Sequence, residues 1–395
     1  MRICALVFCL ALVVAACGDA GSMREESGDP LAGLESYERQ EGFIDLYWDD
    51  EGGRLLLRIE RLDEPFLYQA SLARGVGSND LGLDRGQLGS ANVVRFERSG
   101  PKILLVADNL RYRASGNNAE EQRAVRESFA RSVIWGFESL GERDDAIIVD
   151  ATDFFLRDSH KIAHSLAEAN EGSYEADRSR SAIYRPRTKA FPDNSEVEAV
   201  ITLSGKPAGE FLPTVVPDPT LVSVHLHHSF IRLPDDNYEP LPYDPRAGFI
   251  GLRYGGGGFR DYASEIGAPL MVAYGRRHRL QKKNPAADVS EAVEPIIYYL
   301  DRGAPEPVRS ALLDGARWWN EAFEEAGYRN AFRVEMMPEG ADPMDVRYNV
   351  IQWVHRSTRG WSYGSSVVDP RSGEIMKGHV TLGSLRVRQD YMIAE

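Results

Sequence analysis

Of the chain's 395 residues, 43% are hydrophobic and 27% charged, the proportions of a folded globular protein and not of a disordered or fibrous one, and the length asks for two domains or for one with a large extension. With 60 acidic against 46 basic side chains the formal net charge is −14, so the average surface repels a phosphate backbone and nucleic acid is excluded as a partner. All three cysteines, Cys4, Cys9 and Cys17, lie at the N-terminus, so the folded part has no internal disulfide and must draw stability from packing or from a metal.

The chain begins MRICALVFCLALVVAACGDAGS, with one positive charge at Arg2 and an apolar run over residues 3–16 that is short for a membrane span and has the length of a signal-peptide core. Val14-Ala15-Ala16-Cys17 resembles the bacterial lipoprotein cleavage box, which implies a lipoprotein signal over residues 1–17 and a lipidated Cys17; an ordinary secretory signal cut nearby is the alternative. Residues 18–42, polar and rich in Gly, Ser, Asp and Glu, read as a flexible tether.

A β-rich domain is expected over residues 43–290. GFIDLYWDDEGGRLLLRIERL and VVRFERSGPKILLVADNLRYRA each place two apolar runs around a turn and read as hairpins. The long glycine-rich loop between them lacks the GK[ST] ending of a phosphate loop and reads as structural. Val125, Phe129 and Val133 fall at helical spacing behind a cap at Asn118. Residues 196–203 and 220–233 read as strands, the second alternating Val222, Val224, Leu226, His228 and Phe230 with Ser223, His225, His227 and Ser229. Residues 233–258, dense in Pro, Asp and Gly, read as loops.

The texture changes near Pro295. A short strand at 296–300 precedes a helix expected over 307–326, started by Pro307, ended by Gly327, and carrying an apolar stripe of Val308, Ala311, Leu312, Trp319, Ala322, Phe323 and Ala326. Strands at 332–336 and 345–355 follow, the beginning of an α/β layer, so the fold class expected for the whole chain is α+β.

The sequence has eight histidines, each a candidate metal ligand. His160 and His164 have i, i+4 spacing, but Lys161 holds the position where a zinc hydrolase needs a glutamate base. His225 and His227 project from one strand face with no third ligand nearby in sequence, and read as a solvated pair on the polar face. His278 lies in the basic run GRRHRLQKK, read as a solvated or acidic-partner face, and His228, His355 and His379 are lone strand histidines, which are usually packed. No GxSxG elbow or cysteine nucleophile is present in the folded part.

The strings PIIYYLDRGAPEPVRSALLDGARWWNEAFEEAGY and DVRYNVIQWVHRSTRGWSYGSSVVDPRSGEIMKGHVTLGSLRVRQDY closely resemble bacterial zinc-dependent metalloproteases of the met-zincin type. GLDRGQLGS, VVRFERSGPKILLV, KAFPDNSEVEAVITL and HHSFIRLPDDNYEP resemble the N-terminal domains of unknown function that those proteins carry. The resemblance implies a truncated zincin-like domain over residues 291–395, formed by the upper sheet and its supporting helix. It also implies a strand over 374–382 serving as an edge on which Lys377, Gly378, His379, Val380 and Thr381 bind an extended peptide substrate. Its zinc, H-E-x-x-H helix and catalytic residues are expected beyond Glu395, so none is assigned here and this chain alone is expected to be an inactive fragment. A zinc metallopeptidase lipid-anchored in the bacterial cell envelope is thus the expected function. The alternative is a non-catalytic lipoprotein binding module using the β-domain and the same edge strand.

Overall fold

The structure, a computed structural model, describes residues 30–252 and 258–395; the expected signal over residues 1–17, Cys17 with it, lies outside the described residues. Within the stretch expected as a tether, Leu31 and Leu34 are already buried against Tyr47, Leu56 and Ile148, because a leucine pair at that spacing finds an apolar sheet face to cover.

The first half of the chain is strand after strand. β1 (Glu38–Gln40), β2 (Asp45–Asp49), β3 (Arg54–Ile59), β4 (Phe66–Arg74), β5 (Ala91–Ser99), β6 (Lys102–Ala107) and the short β7 (Tyr112–Arg113) precede α1 (Ala119–Ser128). β8 (Ser132–Arg143), β9 (Ala146–Asp150), α2 (Thr152–Phe155), α3 (Ile162–Glu168), β10 (Gly172–Ala176), β11 (Ala182–Ile183), β12 (Lys189–Phe191), β13 (Asn194–Pro207) and β14 (Leu221–Ile231) complete it. Both expected hairpins form, turning at Gly53 and Gly100 with φ +60°, the left-handed conformation that glycine adopts without a Cβ clash.

All of these strands except β7 make one antiparallel sheet in the order β1-β2-β3-β9-β8-β6-β5-β4-β14-β13-β10, with β11 and β12 also pairing β13. The sheet curls until its ends nearly meet, as in a barrel. At the seam the Phe43 N–H donates to Phe191 O at 2.7 Å, and the Ser195 hydroxyl serves both backbone groups of Ile44, donating to its carbonyl at 2.7 Å and accepting its N–H at 3.0 Å. Inside lie Leu55, Leu57, Phe66, Phe96, Phe137 and Phe230, and α2 pushes Phe154 and Phe155 among them.

Short strands β15 (Leu241–Pro242), β16 (Phe259–Asp261), β17 (Met271–Val272), β18 (Tyr274–Gly275) and β19 (Ser290–Glu291) cross the loop region. β20 (Ile296–Leu300), α4 (Val308–Arg317), α5 (Trp319–Glu325), β21 (Tyr328–Arg329), β22 (Phe332–Met336), β23 (Asn349–Val354), β24 (Tyr363–Val368), β25 (Ile375–Gly383) and α6 (Ser384–Ala394) follow. β22-β20-β23-β25-β24 form a five-stranded sheet, parallel except for β24. It joins the barrel through side chains from the β4–β5 loop: Asp84 takes the buried Arg356 guanidinium on both oxygens at 2.7 and 2.8 Å, and Arg85 donates to Asp301 and to Trp353 O, both at 2.8 Å. Arg113 reaches the Pro370 and Arg371 carbonyls at 2.7 and 2.9 Å.

The expected α+β class, with a zincin-like α/β half from residue 291, is overturned: strand makes up 39% and helix 18%, and the nearly closed barrel-like sheet dominates. Local chemistry explains part of the difference. α1 stops at Ser128, after which Phe129 turns extended and stacks on Tyr112 with ring centroids 3.7 Å apart, while Val133 joins β8 opposite Val106. The helix expected over 307–326 is divided at Trp318 into α4 and α5, leaving Trp318 and Trp319 exposed. Among the described residues no helix is long and apolar enough to cross a membrane.

Candidate functional site

β25, expected as an open edge, is an interior strand. It pairs β23 on one side (His379 opposite Val350) and β24 on the other (His379 opposite Ser365). The Lys377 ammonium is buried and donates to Pro343 O at 2.6 Å and Asp345 O at 2.7 Å. His379 is buried with Nε2 2.9 Å from Gln352 Oε1, and burial lowers its pKa to about 3. Thr381 is buried, and Val380 lines the apolar groove beneath α4 and α5. A Cβ on Gly378 would lie 1.8 Å from the Tyr298 hydroxyl oxygen, so this glycine admits a neighbouring tyrosine and not a substrate backbone. None of the five residues lies on an open edge.

The edge is one strand further out. β24 ends the sheet, and the turn at residues 369–373 delivers β25 behind it. Gly378, opposite Ser366, turns its N–H to Asn349 Oδ1 on the β23 side at 2.7 Å, so the Ser366–Gly378 pair exchanges no hydrogen bonds and Ser366 points its own N–H and C=O outward. Beyond that edge a cavity of about 480 Å³ separates Ser366 and Val368 from Gln69, Ala91, Asn92 and Asp108 of the barrel side. The arrangement offers unpaired strand groups facing a polar cleft.

A second cluster sits on the outer face of β13 and β14. Antiparallel register sets Glu198 opposite His227, Glu196 opposite Ser229 and Val200 opposite His225, and the two-residue period turns the carboxylates and imidazoles to one side. His225 Nδ1 is 2.6 Å from Glu198 Oε1, and His227 Nε2 is 2.8 Å from Glu196 Oε2. The expected solvated pair is therefore corrected: His227 is 1% exposed, and its neighbours arrive from β13 and from the loop after β22, which brings in Asp342. Glu198, His227 and Asp342 each offer one ligand atom, all within 4.8 Å of one another. Burial alone would raise the Glu198 carboxyl, but hydrogen bonding from His225 and the positive charge of the neighbouring His227 hold it at about 2. Burial would likewise lower His227, yet the Glu196 and Glu198 carboxylates lift it to about 10. A cavity of about 260 Å³ opens beside the cluster, bounded by Arg187, Phe191, Asp342, Arg347 and Tyr348. The sequence carried a usable signal here, the Glu-x-Glu of 196 and 198 and the His-x-His of 225 and 227 on successive strands.

The other histidines behave as packed or paired groups. His160 precedes α3 and contacts Ala70 O and Gln87, while His164 pairs with Glu168 on α3, so the two share no helix face. His278 lies against Tyr298, and its neighbour Arg279 is spent on Glu374 and Asp235.

A family model described as a domain of unknown function (DUF5117) matches residues 86–283, about half of the chain. No curated protein and no solved structure matches it.

Proposed function

The chain belongs to the DUF5117 family, whose description assigns no activity, and we propose that it is the peptide-holding part of an exported, lipid-anchored zinc metallopeptidase. An extended polypeptide adds as a strand to the outer edge of β24, and the polar cleft beside it takes alternate side chains. The outward-facing Ser366 edge is the observation that carries this reading, and the long strings of residues 295–391 that resemble met-zincin-type proteases support the hydrolytic half of it.

The residues of this chain do not fit the catalytic zinc of such an enzyme. H-E-x-x-H is absent from the sequence, and the histidine of β25, His379, is committed to Gln352. No step of peptide hydrolysis is therefore assigned to a residue of this chain. A lipoprotein module that binds without cleaving uses the same edge.

Fluorescence anisotropy of labelled, denatured casein against the purified chain tests the edge. Ser366→Pro deletes one outward N–H and is expected to weaken binding by about tenfold, the worth of one good hydrogen bond, whereas Ser366→Ala leaves binding unchanged. Undiminished binding by Ser366→Pro, or none by the parent chain, would sink the proposal.

A further inference from the structure

We infer that Glu198, His227 and Asp342 form a site for one divalent transition-metal ion, zinc being the best match, which ties the loop after β22 to the barrel. The imidazole carries the argument. His227 is almost wholly buried, its Nε2 is engaged by Glu196, and its Nδ1 has no hydrogen-bond partner. Native structures seldom leave such an atom orphaned, since a buried polar atom without a partner forfeits its hydration for nothing in return.

The nearest acceptor, Glu198 Oε2, stands 3.8 Å from that nitrogen. This is too long for a hydrogen bond but is spanned by two ligand bonds of about 2.0–2.1 Å meeting at one zinc ion. Asp342 supplies the third donor from across the joint between barrel and sheet.

Every donor is also held from behind, as metal ligands usually are. Glu196 grips the far nitrogen of His227, His225 grips the second oxygen of Glu198 at 2.6 Å, and Arg187 grips Asp342 Oδ2 at 2.9 Å. One imidazole with two carboxylates suits zinc or manganese better than magnesium or calcium, which favour oxygen alone. The cavity of about 260 Å³ leaves a fourth position for water. Around the site the carboxylates Glu196 and Asp345 face the cations Arg187, Arg347 and Lys377; Arg347 is already paired with Asp345.

The rival arrangement is metal-free, with His227 a doubly protonated imidazolium between its carboxylates. Zinc chloride titrated calorimetrically into chelator-treated chain separates the two, and cobalt(II) absorption reports the ligand field. One ion per chain, a rise in melting temperature on adding zinc, and a visible cobalt spectrum are expected. Asp342→Asn, on a half-buried loop where folding is preserved, should weaken zinc at least tenfold and bleach the cobalt bands, as should Glu198→Gln; His355→Ala should change neither. Absence of stoichiometric binding, or binding undiminished in Asp342→Asn, overturns the assignment.

Discussion

Lys377 shows how far a single side chain can depart from its usual place. Its ammonium is fully buried on two carbonyl oxygens, and burial lowers its pKa to about 8 from the ordinary lysine value near 10.5. Between these two values the unfolded chain holds a proton that the folded chain has released, so folding stability gains from this group as pH rises from 8 to 10.5. The gain is about 3 kcal/mol in order of magnitude. Urea denaturation across that range should show the rise in the parent and its absence in Lys377→Met; parallel curves would refute the assignment. At this scale the sequence was half legible. Alternation placed His225 and His227 correctly on one strand face, but what surrounds them comes from residues 196, 198 and 342, and no local pattern announces a partner more than a hundred residues away.

Among the elements, hairpins β2–β3 and β5–β6 and strands β13, β14, β20 and β22 were legible because apolar runs and turn residues are written locally. The edge was not. Tyr363–Val368 contains Gly364, Ser365 and Ser366 and lacks the apolar alternation of a strand, and the met-zincin resemblance put the edge on 374–382, although pairing on both sides buries that strand. Helix ends failed for a related reason, since α1 yields at Phe129 to a ring stack that only the folded chain supplies. The barrel seam gives a prediction at this scale. Ser195→Ala strips the Ile44 N–H and C=O of their shared partner inside a buried joint, which should cost about 2–3 kcal/mol. Hydrogen exchange should then accelerate at the Ile44 amide ahead of the β3 amides, and an unchanged rate at Ile44 would show that the hydroxyl does not hold the seam.

In the whole molecule, the barrel and the five-stranded sheet meet through an apolar cluster of Leu67, Val93 and Ile231 with Val346 and Val367, and through a handful of charged arms. The Asp84–Arg356 pair is buried on both sides, so Asp84→Ala strands a guanidinium and should cost about 3–5 kcal/mol, whereas Asp84→Leu combined with Arg356→Met should recover much of it. Tryptophan fluorescence and far-ultraviolet circular dichroism, followed together through urea unfolding, should shift by the same amount if the two parts melt as one; separate shifts would show that the joint is loose. The charged part of this joint was not legible in the sequence, because its partners lie far apart in the chain and each looks like an ordinary surface charge. Arg113 adds something different, for it holds the carbonyl oxygens of residues 370 and 371 and touches neither identity. A hand that closes on main chain is blind to the letters it holds. The path of the turn that follows β24 is therefore fixed twice, from within by the Asp369 carboxylate and the left-handed Gly373, and from outside by an arginine of β7 whose grip does not depend on the side chains at 370 and 371.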